Sequence, residues 1–227
     1  MVHTQLINKI RNIAVIAHVD HGKTTLVDAL LKQGKVFRDH QKVGNLIMDS
    51  NPLERERGIT ILAKNTGVIY GDTKINIIDT PGHADFSGEV ERIMNMADGC
   101  LLLIDCVDGP MPQTRFVLQQ ALKHNVQPMV LINKIDRAEA RINEVVNLVQ
   151  DLFLELATEE SQLDFPILYA SARDGYAVAH LNDPKQSMQP LFEAIIENIP
   201  APSGNRNNPL QMLVAALDYD NYLGQIA

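Results

Sequence analysis

Short apolar, β-branched runs alternate along this chain with amphipathic segments of helical length. Ile13-Ala14-Val15-Ile16-Ala17 reads as a buried strand and residues 23–33 as the helix after it. Residues 66–70 and 74–78 flank the turn-rich Gly71-Asp72-Thr73 and read as a hairpin. A helix over 86–96 follows, with Val90, Ile93 and Met94 on one face. Strand 99–104, helix 113–124 and strand 127–132 come next, then a long helix over 141–156 with Val145, Leu148, Val149, Leu152 and Phe153 at helical spacing. Strand 165–170 and helix 190–198 complete the series. Such alternation predicts an α/β fold, a mostly parallel sheet of six strands with helices on both faces. Right-handed crossovers would then bring every strand-to-helix loop to one sheet edge, where ligands bind.

Two polar stretches interrupt the alternation. Residues 36–63 carry Glu54-Arg55-Glu56-Arg57, and residues 173–189 contain Gly and Pro. Loops of that length inside a compact domain are usually functional or mobile. Residues 200–209 are rich in Pro, Gly, Ser and Asn without apolar periodicity, which marks a linker. The division expected is therefore a domain over 1–200, a linker over 201–209 and, from a strand-like run at 210–217 to residue 227, the opening of a second domain.

Composition narrows the classes. The chain is 45% hydrophobic and 21% charged with a net charge of −8, so a broad phosphate-gripping face for nucleic acid is not expected. Aromatic residues make up 5% and Trp is absent, which argues against a base-stacking platform. Cys100 and Cys106 have no zinc spacing and read as buried reduced thiols. The N-terminus lacks the pattern of a signal peptide, and the longest apolar run, residues 100–104, is too short to span a bilayer. The expectation is a soluble, cytoplasmic monomer with no membrane partner.

Four motifs bear chemistry. Ala17-His18-Val19-Asp20-His21-Gly22-Lys23-Thr24 follows the first strand and fits the phosphate-loop pattern except for Ala17 at the first Gly. Gly22 leaves room for backbone N–H groups to approach phosphate oxygens at a helix N-terminus. Lys23 would reach the β- and γ-phosphates of a nucleotide, and the Thr24 hydroxyl would ligate Mg²⁺. Ile77-Ile78-Asp79-Thr80-Pro81-Gly82-His83 ends a strand in a carboxylate, the place for a ligand to a Mg²⁺-bound water. Gly82 would set a backbone N–H against the γ-phosphate, although Asp-Thr-Pro-Gly by itself also fits an ordinary turn. Asn133-Lys134-Ile135-Asp136 ends another strand. A carboxylate at Asp136 that accepts two donors from one base edge selects guanine, because adenine would leave it unpaired. Ser171-Ala172, at a further strand end, offers a backbone N–H to guanine O6. In the long loop, Arg55-Glu56-Arg57-Gly58-Ile59-Thr60 would be a switch if Thr60 meets Mg²⁺ and the γ-phosphate, and a solvated charged loop otherwise.

Together these residues resemble the five guanine-nucleotide boxes of the translational GTPases, a likeness that covers residues 10–223. Met48-Asp49-Ser50-Asn51-Pro52-Leu53-Glu54-Arg55-Glu56-Arg57-Gly58-Ile59-Thr60, continuing to Thr66, and Asp108-Gly109-Pro110-Met111-Pro112-Gln113-Thr114-Arg115 point to a ribosome-associated branch. The resemblance implies a P-loop G domain followed by the start of a β-barrel-like domain. It implies GTP and GDP as substrate and product, Mg²⁺ as cofactor, and the ribosome as partner, reached largely through further domains. By position, Asp20, His21, Gly22, Lys23, Thr24, Thr25 and Gly82 would surround the phosphates. Thr24 and Thr60 would lie on Mg²⁺, with Asp79 behind a metal-bound water, and Asp20 is the candidate for a monovalent cation. Asn133, Lys134, Asp136, Ser171 and Ala172 would hold guanine. His83 would orient the attacking water, and Val19 and Ile59 would be an apolar gate that keeps it from the nucleotide. Arg55 and Arg57 are candidate arginine fingers if the switch folds inward. The rival readings are another elongation-factor branch, a nucleotide-gated ribosome-docking module with incidental hydrolysis, and a P-loop kinase or ATPase.

Overall fold

The computed structural model describes residues 8–34, 64–80, 87–203, 209, 214 and 217–226. Strand β1 (Ile10–Ala17) leads into helix α1 (Lys23–Gln33). β2 (Lys64–Tyr70) and β3 (Thr73–Asp79) are followed by α2 (Ser87–Met94) and β4 (Gly99–Asp105). Next come α3 (Pro112–Lys123), β5 (Gln127–Asn133) and α4 (Ile142–Leu156). A short 3₁₀ turn (Glu160–Leu163), β6 (Ile167–Ser171), β7 (Tyr176–Val178) and α5 (Gln189–Asn198) close the domain. Seven strands form one mixed sheet in the order β2-β3-β1-β4-β5-β6-β7, an α/β architecture.

The sheet holds one strand more than the hydrophobic pattern resolves. β7 lies inside the polar stretch 173–189 and pairs antiparallel with β6, Tyr169 opposite Val178 and Ser171 opposite Tyr176. Three residues are too few for a period to be read, and it is the neighbouring strand that makes them a strand. The 71–73 turn behaves as its residues dictate. Tyr70 pairs with Thr73, so Gly71 and Asp72 form a two-residue loop with Gly71 at φ +58°, the pattern of a type II′ hairpin.

Side chains of the parallel strands alternate between two cores. Ile13, Val15, Leu101, Leu103, Met129 and Leu131 face α1 and α5, whose Leu26, Leu30, Leu191 and Phe192 are buried against them. Ala14, Ile16, Leu102, Ile104, Val130 and Ile132 face α2, α3 and α4. β4 is buried along its whole length, as a central strand covered on both faces must be. Tyr70 stacks on Phe192 with ring centroids 4.8 Å apart, and Phe153 on Phe165 at 3.8 Å, so both sheet faces are pinned by aromatic pairs. Gly34 ends α1 hard against β2, and a Cβ there would lie 1.9 Å from Val68 Cγ1. That close approach requires glycine.

β1 pairs in parallel with β3 on one side and β4 on the other, so the strand order reverses at β1. In open α/β sheets ligands bind outside the carboxyl ends of the strands at such a point. Asp79, Asp105, Asn133 and Ser171 all end strands at that edge, with the loop after Ala17 among them.

Asp218–Asp220 and Gly224–Ile226 form a separate antiparallel hairpin, β8 and β9. Of the strand-like run 210–217, only Val214 and Leu217 are among the described residues, and neither is in a strand.

Candidate functional site

Between β1 and α1 the chain makes a tight loop whose backbone is unusual at two places. Asp20 has φ +65° and Gly22 φ +94°. Gly22 precedes the first turn of α1 and its carbonyl accepts the Leu26 N–H at 2.9 Å. A Cβ at Gly22 would lie 2.6 Å from Asn133 Nδ2, so both the backbone angle and the packing exclude a side chain. N–H groups exposed at a helix start beside such a turn suit an anion. Thr24, half buried, and Thr25, exposed, stand on the first turn of α1.

The Lys23 ammonium lies 2.9 Å from Asp79 Oδ1 and donates to the Thr80 carbonyl at 2.5 Å. The parallel pairing of β1 with β3 sets Val15 level with Asp79, which brings the phosphate loop and the end of β3 together. The Asp79 side chain is only 7% exposed and that of Lys23 11%, so this ion pair is largely out of water.

Asn133 ties the loops to one another. Its Nδ2 donates to the His21 carbonyl at 2.9 Å, and its Oδ1 accepts the Ala172 N–H at 3.0 Å. One buried amide thus spans from the phosphate loop to the Ser171-Ala172 turn, with both of its ends satisfied. Lys134, itself at φ +65°, donates from Nζ to the Asp20 carbonyl at 2.5 Å and lies 2.6 Å from Asp105 Oδ2. Asp136 accepts an ion pair from Arg173 at 3.0 Å. Arg173 also reaches Asp174, whose Oδ2 accepts the Ser171 hydroxyl at 2.9 Å. Beside this turn, a cleft of about 280 Å³ is lined by Thr25, Lys32, Gln33, Ala172, Arg173 and Gly175.

His21 is fully buried. Its Nδ1 sits 3.3 Å from the Leu103 carbonyl and 3.4 Å from the Asp105 N–H, and its ring meets His18 edge-on with centroids 5.2 Å apart. Burial lowers its pKa, aided by His18 and opposed by the Leu103 carbonyl and Asp105. His21 is therefore a neutral anchor of the loop on β4. Val19 is half buried. Arg55, Arg57, Ile59, Thr60, Gly82 and His83 lie outside the described residues.

The structure therefore brings Asp20, His21, Gly22, Lys23, Asn133, Lys134, Asp79 and Ala172 into contact at one edge, with Thr24 and Thr25 beside them. Asp105 and Arg173 belong to the same constellation and were not found by sequence reasoning. Asp105 carries the signal that singled out Asp79, a carboxylate ending a buried apolar strand, but no motif surrounds it. Burial pushes both thiols up, Cys100 to about 12 and Cys106 to about 11, so neither is a nucleophile. Among the described residues no three His, Cys, Asp or Glu side chains converge as a metal cage.

A model of the elongation factor Tu GTP-binding domain matches residues 8–201. The chain belongs to this family of GTP-binding domains. Within it, the chain is 59% identical over 217 residues to the large ribosomal subunit assembly factor BipA of Synechocystis sp., covering 96% of this chain and 36% of that protein. It is 58% identical over 222 residues to BipA of Bacillus subtilis, covering 98% and 36%, and 55% over 221 residues to BipA of Salmonella typhimurium, covering 97% and 36%. The chain thus spans little more than a third of the length of these curated relatives. Membership of the family accounts for the P-loop sheet and agrees with the resemblance carried by the motifs.

Proposed function

We propose that this chain is the nucleotide switch of a ribosome-associated GTPase of the BipA kind, hydrolysing GTP to GDP and phosphate. The observation that carries the reading is the double bridge of Asn133, which links the phosphate loop at His21 to the turn at Ala172 in one hydrogen-bonded unit. A nucleotide has a charged end and a base end, and a site for one needs both loops held at fixed separation. Asp136 would then accept guanine N1–H and N2–H₂, and the Ala172 turn would face O6.

Thr24 on α1 and Asp79 at the end of β3 are a hydroxyl and a carboxylate beside the lysine of a phosphate loop. That set suits Mg²⁺, with Thr24 as a direct ligand and Asp79 behind a metal-bound water, because the ion keeps several waters and completes its shell with substrate phosphates. Bound there with Thr60, the ion would neutralise charge on the β- and γ-phosphate oxygens. Lys23 would bind the same oxygens from the loop side, and Asp20 is the candidate contact for a monovalent cation. His83 would align a water on the γ-phosphorus; the water oxygen would bond to that phosphorus as its bond to the β–γ bridging oxygen breaks, GDP leaving with that electron pair and the water's proton passing to the released phosphate. Val19 and Ile59 would form the gate that holds His83 back. The relatives' name supports the large ribosomal subunit as the partner that opens it, engaged by the full-length protein.

Displacement of fluorescent GDP tests the base reading. GTP should compete at stoichiometric levels, ATP should not compete even in large excess, and Asp136→Ala should weaken GDP by about 100-fold or more. Equal competition by ATP would make the protein an ATPase or kinase.

A further inference from the structure

Asp105 ends β4 with no exposed surface, and the β4–β5 register sets it level with Asn133. An isolated carboxylate buried to that extent is costly, and this one has a polar neighbour at each oxygen. Its Oδ1 accepts the Val107 N–H at 2.8 Å, and its Oδ2 lies 2.6 Å from Lys134 Nζ. The same ammonium donates to the Asp20 carbonyl at 2.5 Å. Lys134 is thus held between a fixed carboxylate on the sheet and the backbone of the phosphate loop.

The surroundings fasten this arrangement. Cys106 N–H donates to the Asn133 carbonyl at 3.0 Å, the Cys106 thiol to the Lys134 carbonyl at 3.0 Å, and Arg141 N–H to the Cys106 carbonyl at 3.1 Å. Lys134 and Asp20, the two residues joined by the ammonium, both hold a φ of +65°, uncommon for residues other than glycine. Burial works to raise the Asp105 pKa, but the hydrogen bonds from Lys134 and Val107 and the charge of Lys134 prevail and hold it below the usual carboxylate range. The pair is oriented, and it is shared by the two loops that a nucleotide must touch together.

We propose that Asp105 is a positioning residue for guanine-nucleotide binding, acting through Lys134 to lock the base-binding turn onto the phosphate loop. The proposal rests on the guanine-nucleotide reading above. It differs from a plain stabilising role because it places the effect of Asp105, through Lys134, on nucleotide affinity and dissociation rather than on stability alone.

The test is a double-mutant cycle on the full-length protein, read as fluorescent GDP affinity and dissociation rate, with melting temperature alongside. Asp105→Asn keeps the volume and the acceptor for Val107 but removes the charge. It should weaken GDP about 10- to 100-fold, mainly through faster dissociation. Introduced into a Lys134→Met background, it should add little, because the interaction is already gone. The same further loss in both backgrounds, or GDP binding by D105N at the parent affinity, overturns the proposal. If D105N alone unfolds, combining it with Lys134→Met should restore folding, since it removes the unpaired ammonium; a double variant as unstable as D105N overturns it as well. A parent protein that binds no guanine nucleotide overturns the functional reading instead, and the proposal with it.

Discussion

At the scale of single residues, the site is governed by buried polar groups whose partners lie on other strands. His21 shows how that has a pH signature. A free histidine titrates near 6.5, and burial depresses the value in the folded chain. Above about 6.5 the ring is neutral folded or unfolded, and contributes no pH dependence. Below it the unfolded chain takes up a proton that the folded chain refuses, so stability falls until the depressed folded value is passed. Melting curves between about pH 7.5 and 5 should therefore slope downward with acid, and His21→Gln should flatten that slope. An unchanged slope in the variant would assign the acid sensitivity to other groups. Lys23 and Lys134 are the counterparts, cations each set between a carboxylate and a carbonyl of a neighbouring loop.

At the scale of elements, the close approaches are what the sequence could not state. Gly99 begins β4 beneath the end of α5, and a Cβ there would lie 2.3 Å from Ile199 Cδ1 and 2.7 Å from its Cγ2. Gly99→Ala should destabilise the domain by about 1–3 kcal/mol through overpacking, measurable by denaturant titration. A second change, Ile199→Val or Ile199→Ala, should recover part of that loss. The elements themselves were largely legible. The Gly-Lys-Thr start placed α1 at 23–33 to the residue, and the Gly71-Asp72 turn placed the hairpin. Strand cores were read correctly because central parallel strands are continuous apolar runs, while their polar last residues, Asp79, Asp105, Asn133 and Ser171, fell outside the pattern. β7 was not legible, because Tyr176-Ala177-Val178 is a strand only by virtue of its ladder to β6. Within the site, motifs named Asn133 and Lys134 but not what they hold. That Asn133 bridges His21 and Ala172 depends on long-range register, and so does the meeting of Asp105 with Lys134. Arg173 lies in a polar stretch with no period, and its pairing with Asp136 comes from the turn after β6.

At the scale of the whole molecule, the G domain is a sheet with one functional edge. Among the described residues, Asp79, Asp105, Asn133 and Ser171 end β3, β4, β5 and β6 at that edge beside the loop after β1, and two cores lie beneath them. No helix among the described residues is long and apolar enough to cross a membrane. The chain corresponds to 36% of the length of its BipA relatives. The function proposed above requires GTP cleavage that the ribosome drives through His83. It is tested most directly by phosphate release from GTP on the full-length protein, with and without ribosomes, comparing the parent with His83→Ala. Slow release by the parent alone, strong acceleration by ribosomes, and a fall of about 100-fold or more in stimulated turnover for the variant are expected, with GDP affinity within a few-fold of the parent. Stimulated turnover by His83→Ala at the parent rate would contradict it.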